Sequence, residues 1–208
     1  MHGIPIEVCI SMGITVTQCC ELDLFSNKMV VFNDSARLVH VQGNSLYEKI
    51  NKLRNITHGY DSNIHKVIDM ILNTAKIYNI TKDNMLDKLI VFTNMQFEKK
   101  YGETLGTLMN LVKTKFLKSG YRVPQIIFWN LKTTPTSTPI KAYDMDVALL
   151  SGFSENLLET VLDNKIVNPT LVFKKNIEKY KPKYVPNKND KFSIVQLNGI
   201  FYRLKHTF

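Results

Sequence analysis

From Pro5 to Cys20 apolar residues occupy nearly every side of a helical wheel, and Pro5 suits a first helical position. The segment predicts a helix buried on more than one face. The period then shortens. Lys28 to Asn33 and Arg37 to Val41 are β-branched runs separated by Asp34-Ser35, a turn signal, which predicts an antiparallel pair. Ser45-x-x-Glu48 has the form of a capping box, followed by Leu46, Ile50 and Leu53 at helical spacing. After a loop over residues 59–63, Ile64, Val67, Ile68, Ile71, Leu72 and Ala75 mark one face of the clearest helix in the chain.

The second half alternates buried strand and helix. Leu89 to Phe92, Ile126 to Trp129 and Val147 to Leu150 are continuous apolar runs suited to strands covered on both faces. Between the first two, Leu105, Leu108, Met109, Val112 and Phe116 trace a helix closing near Gly120. After the third, Ser154 is placed to cap a helix carrying Leu157, Leu158, Val161 and Leu162. Such alternation predicts an α/β fold with a doubly wound, mostly parallel sheet. Trp129, inside a buried-strand pattern, is expected in the core. From Pro169 the alternation stops; Lys, Pro and Asn dominate residues 174–191, as in a linker or surface arm. Beyond it, Asn198-Gly199 between Phe192–Leu197 and Ile200–Leu204 predicts a terminal β-hairpin with a type I′ turn. The expected organisation is a domain over residues 1–168 and a basic linker with a hairpin over 169–208.

Charge adds one feature to this outline. The net charge is +9, and residues 174–208 hold nine Lys or Arg against Glu178 and Asp190, a net +7. Basic arms gain affinity for phosphates by counterion release, so Lys174, Lys175, Lys179, Lys181 and Lys183 are candidate nucleic-acid contacts, with Tyr180, Tyr184, Phe192 and Tyr202 as candidate stacking rings. A plainer source of lysine is codon bias: the chain is rich in Lys, Asn and Ile with only four Arg, as AT-rich genomes, those of large DNA viruses among them, encode.

Several function classes fall away. No stretch approaches the roughly 20 apolar residues of a membrane span. The apolar segment near the start has no basic n-region and contains Glu7, so no export signal is expected. Cys9, Cys19 and Cys20 lack zinc-ligand spacing and are expected as reduced thiols in an intracellular compartment. The five histidines form no HExxH pair. Gly102, Gly106 and Gly120 make neither phosphate loop, and Ser151-Gly152 lacks the GxSxG elbow, so no enzyme activity and no cofactor are expected.

Phe92-Thr93-Asn94-Met95-Gln96-Phe97, Gly120-Tyr121 before Pro124, Phe128-Trp129-Asn130-Leu131 and Ser151-Gly152-Phe153-Ser154 together resemble an uncharacterised family of von Willebrand factor A-like proteins, distantly similar to the Ro/TROVE RNA-binding proteins. The resemblance runs from about residue 3 to residue 163. It implies a Rossmann-like fold in which a D-x-S-x-S loop after a first strand, a Thr and an Asp hold a divalent cation. The segment Met1 to Glu7 resembles the residues immediately after that first loop, so the first ligand set is expected to be missing. At the matching second and third positions stand Ser62, beside Asp61, and Asn94. A hydroxyl and an amide do not offset the dehydration of Mg²⁺, so these three are vestigial metal-site positions, and Ser62 is expected to cap the helix from Ile64 instead.

The same resemblance places the missing strand at the sheet centre, between the strand ending near Asn33 and the strand 89–92. Three repairs are open: direct closure, a strand donated by the 192–204 hairpin, or a strand inserted by another chain, the last two being favoured. The function expected is a metal-independent protein-interaction or scaffold module with an unknown protein partner. The alternatives are RNA or DNA binding through the basic arm, and a decayed gene product.

Overall fold

The structure is a computed structural model that describes residues 4–20, 24–32, 35–56, 63–93, 105–131, 146–152, 155–163, 167, 172, 174, 196–197 and 200–201. Helix α1 (Ile4–Gln18) is followed by strands β1 (Lys28–Phe32) and β2 (Ala36–His40), then α2 (Leu46–Arg54) and α3 (Ile64–Ile77). Next come a short 3₁₀ turn (Lys82–Asn84), β3 (Lys88–Thr93), α4 (Leu105–Lys118), β4 (Gln125–Asn130), β5 (Val147–Ser151) and α5 (Glu155–Asp163). Two-residue strands β6 (Gln196–Leu197) and β7 (Ile200–Phe201) close the order.

The chain is a mixed α/β protein. Strands β3, β4 and β5 form a parallel sheet in which Val91 lies opposite Phe128 and Phe128 opposite Leu149. Strands β1 and β2 form a separate antiparallel pair, with Val30 opposite Leu38. The parallel part has three strands, at the three apolar runs read from the sequence, and the first pair is not hydrogen-bonded to it.

Two helical layers cover both sets of strands, as the period-2 alternation of strand side chains requires. On one face Leu89, Val91, Ile126, Phe128 and Val147 pack against α3 and α4 through Val67, Ile68, Ile71, Leu108, Val112 and Phe116; Val30, Phe32 and Ala36 join them. On the other face Ile90, Phe92, Ile127 and Trp129 meet Val8, Cys9 and Met12 of α1 and Leu157, Leu158 and Val161 of α5. Helix α1 also turns Ile6, Ile10 and Ile14 toward Met29, Val39, Val41 and Leu53. Its apolar composition is thus explained by two contacts, one on each set of strands.

Local signals set the helix ends. Ser45 Oγ accepts from Glu48 N–H at 3.2 Å, while the Glu48 carboxylate accepts from Asn44 N–H at 2.8 Å, one residue earlier than a standard capping box. Helix α3 is capped by Asn63, whose Oδ1 accepts from His65 N–H at 3.1 Å. This corrects the expectation for Ser62: Asn63 is extended, and its short amide accepts from the N–H two residues on. Helix α4 ends as expected at Gly120, with φ +79°; Tyr121 N–H donates to Phe116 C=O at 3.0 Å and Gly120 N–H to Leu117 C=O at 3.0 Å, a Schellman closure. Asn79, at φ 50°, closes α3 in the same way.

Candidate functional site

The two sets of strands share their helical layers but not a hydrogen-bond ladder, and a cavity of about 460 Å³ lies between them. Strand β1 lines it from Lys28 to Phe32 and strand β3 from Lys88 to Phe92. Ile10 and Gly13 of α1 close one face, Val67 and Ile71 of α3 the other. Strands β1 and β3 therefore do not pair directly among the described residues. In the terminal hairpin Gln196 pairs with Phe201 and Leu197 with Ile200, and these strands have no other partner among the described residues. The two-residue spacing agrees with the turn expected at Asn198-Gly199, and of the three repairs direct closure is not seen among the described strands. Pairing within the hairpin already uses one edge of each short strand.

The slot is apolar, with polar groups at its margins. Lys28 and Lys88 are the charged side chains among its described lining residues. Lys88 Nζ donates to Val161 C=O at 2.5 Å, at the end of α5, and burial lowers its pKa from the ordinary value while Asp87 and Asp163 oppose that shift. Lys28 Nζ donates to Leu24 C=O at 2.7 Å. Cys9 faces the slot from α1, and burial pushes its thiol up to about 11. A Cβ on Gly13 would meet the end of the Met29 side chain, which fills the space beside the glycine.

Next to the slot the sheet is rigidly held. Trp129 is fully buried, its Nε1 donates to Gly152 C=O at 2.9 Å, and its ring lies 5.8 Å from that of Phe92. Gln125, also buried, pairs its amide with the backbone of Val167: Nε2 donates to Val167 C=O at 3.0 Å and Oε1 accepts from Val167 N–H at 2.9 Å. This side chain acts as one extra rung of a ladder, fastening the stretch after α5 to the sheet.

Asp61, Ser62 and Asn94 lie outside the described residues, and so do Lys175, Lys179, Lys181 and Lys183. Lys174 is described as helical and exposed. Among the described residues no three His, Cys, Asp or Glu gather to hold a metal, and no helix is long and apolar enough to cross a membrane. Sequence reasoning did not identify Cys9, Gly13, Lys28 and Lys88 as lining residues of a slot. The signal within reach was the helix Pro5 to Cys20, apolar on too many sides for a helix with one neighbour.

The match to the domain of unknown function DUF7788 covers residues 1–197, and the chain belongs to that family. It is 30% identical over 181 residues to the uncharacterized protein L728 of Acanthamoeba polyphaga mimivirus, a match covering 86% of this chain and 32% of that protein's length. No solved structure matches.

Proposed function

We propose that this DUF7788 domain is a metal-independent protein-interaction or scaffold module on a von Willebrand A-like, Rossmann-like fold, and that it is a binding protein rather than an enzyme. The observation that carries this is the slot of about 460 Å³ between β1 and β3, a concave surface whose described lining is mostly apolar. Its supporting context is the order of elements: an antiparallel pair, then parallel strands alternating with helices, sandwiched between two helical layers. The mimivirus relative and the Lys-rich, Arg-poor composition are consistent with a viral setting.

Amine-directed cross-linking of the chain in the cells that express it tests the reading, because Lys28 and Lys88 stand at the slot. The expected result is cross-links from Lys28 or Lys88 to another protein, in equal yield with EDTA and with Mg²⁺. A chain that carries no such cross-link, or that loses its partner when EDTA is added, overturns it. A second reading, binding of RNA or DNA, is favoured by the net +7 in residues 174–208.

A further inference from the structure

All three cysteines of the chain line the slot, Cys9 from within α1, Cys19 from the turn that ends the helix and Cys20 from the next residue. Cys9 is out of reach of the other two. The helical rise from residue 9 to residue 19 is roughly 15 Å at about 1.5 Å per residue, whereas a disulfide needs Cα atoms within about 7 Å. Cys19 and Cys20 are adjacent, so their sulfurs meet only by closing a small ring through the peptide bond between them. Cys19 is exposed and Cys20 half-buried, so the pair offers one thiol to solvent with a second beside it.

The backbone here is the end of a helix. Cys19 N–H is shared between Thr15 C=O and Val16 C=O, each at 3.2 Å, and Cys20 lies beyond the helix. Two residues before Cys19, Thr17 Oγ1 donates to Ile14 C=O at 2.8 Å and Thr17 C=O accepts from Asn27 N–H at 3.0 Å, which fastens α1 to the residue preceding β1. Consecutive side chains on a helix diverge by about 100°, so two adjacent sulfurs reach bonding distance only when the backbone leaves helical geometry. Because Cys20 is already outside the helix, that change falls on Cys19 and its shared N–H, and the bond between Asn27 and Thr17 is preserved.

We propose that Cys19 and Cys20 form a thiol–disulfide exchange site that reacts with small dialkyl disulfides of the glutathione class and closes to a reversible Cys19–Cys20 disulfide in the wall of the slot, freeing Cys19 N–H from the last turn of α1. The Cys19 thiolate attacks one sulfur of the reagent; the reagent's S–S bond breaks, and the thiol that leaves carries the proton that Cys19 gave up. The Cys20 thiolate then attacks Cys19 Sγ in the mixed disulfide. A bond forms between the two protein sulfurs, and the second thiol leaves with the proton from Cys20. Two electrons pass from the protein to the reagent, which is reduced to two thiols, and an excess of thiol runs both steps backwards. The site goes beyond the interaction-module reading and does not depend on it.

The test is incubation of the full chain with oxidised glutathione at pH 8, followed by mass spectrometry of the intact chain and of its peptides. The expected product is lighter than the reduced chain by two hydrogen atoms, holds its new bond within the peptide that contains both Cys19 and Cys20, and reverts in dithiothreitol. Cys20→Ser removes the resolving thiol and is expected to stop at a single glutathione adduct on Cys19. In the wild-type chain the Cys19 amide is expected to exchange hydrogen at least tenfold faster after oxidation, with the Asn27 amide unchanged. A wild-type chain that stops at the mixed disulfide, or that bonds instead to Cys9 or to a second copy, overturns the proposal. A Cys19 amide that keeps its rate after ring closure, or that quickens together with Asn27, overturns it as well.

Discussion

Cys9 shows how one position serves two packing demands. It lies on the face of α1 that meets the parallel sheet and also lines the slot, and burial raises its thiol from 9.0 to about 11. At pH 8 only about one molecule in a thousand carries the thiolate, the reactive form. Iodoacetamide labelling followed by peptide mass spectrometry should therefore find Cys9 at least tenfold slower than the exposed Cys19, with the difference narrowing only toward pH 11. Equal rates at pH 8 would show that α1 does not bury Cys9. The same shift has a sign for stability. A group whose folded pKa is raised contributes fully below its unfolded value and loses that contribution as pH rises through the folded one, so Cys9 adds to alkaline unfolding between pH 9.0 and about 11. Gln125 is the other informative residue, since its amide satisfies both backbone groups of Val167 in a buried place. Gln125→Leu strands a buried donor and acceptor and should cost about 2–5 kcal/mol in urea unfolding. A loss below about 1 kcal/mol would mean that the stretch after α5 is held by other contacts.

At the scale of elements, the decisive fact is that β1–β2 and β3–β5 share helices without sharing a ladder. Helix α3 packs against both sets, and α1 touches both from the opposite layer and also accepts a backbone bond from Asn27 N–H at Thr17 C=O, so the half-sheets are aligned through their shared helices. The hairpin β6–β7 contributes nothing to this alignment through hydrogen bonds, because each of its strands pairs only with the other among the described residues. Truncation after Lys191 should accordingly leave a chain that unfolds cooperatively in urea with a midpoint within about 0.5 M of the full-length value. An aggregating or non-cooperative product would restore the hairpin to a role in the sheet. The helix ends need no such help: Asn63, Gly120 and Asn79 close their helices with local bonds.

At the scale of the whole molecule, charge and metal chemistry give two separable expectations. Titration calorimetry with Mg²⁺ or Mn²⁺ should give dissociation constants no tighter than millimolar, since Ser62 and Asn94 are neutral and Asp61 alone supplies charge; micromolar affinity would contradict the metal-independent reading. If the chain binds nucleic acid through its basic arm, affinity should fall steeply with added salt and be lost on deleting residues 174–208, which carry +7 of the +9 net charge. Binding insensitive to salt, or surviving the deletion, would exclude the arm.

The apolar runs Leu89–Phe92, Ile126–Trp129 and Val147–Leu150 sufficed to identify the three parallel strands, and the spacing from Ile64 to Ala75 sufficed for α3, because period and composition are local properties of the chain; cover on both faces was not local, since Leu149 is 41% exposed on β5 at the sheet's edge. The antiparallel pairing of β1 with β2 was equally legible from two β-branched runs flanking a turn. What locality cannot contain is which distant edges meet. Val30 and Ile90 are both strand residues by their own neighbours, and nothing in either segment says that a slot separates them; that depends on α1 and α3 bridging two half-sheets from opposite layers. Gln125 reads in sequence as a polar residue at a strand end, and only the return of the chain at Val167 makes it a rung. Hydrogen-bond partners separated by tens of residues are chosen by packing of whole layers, so the tertiary structure alone decided where the sheet is open.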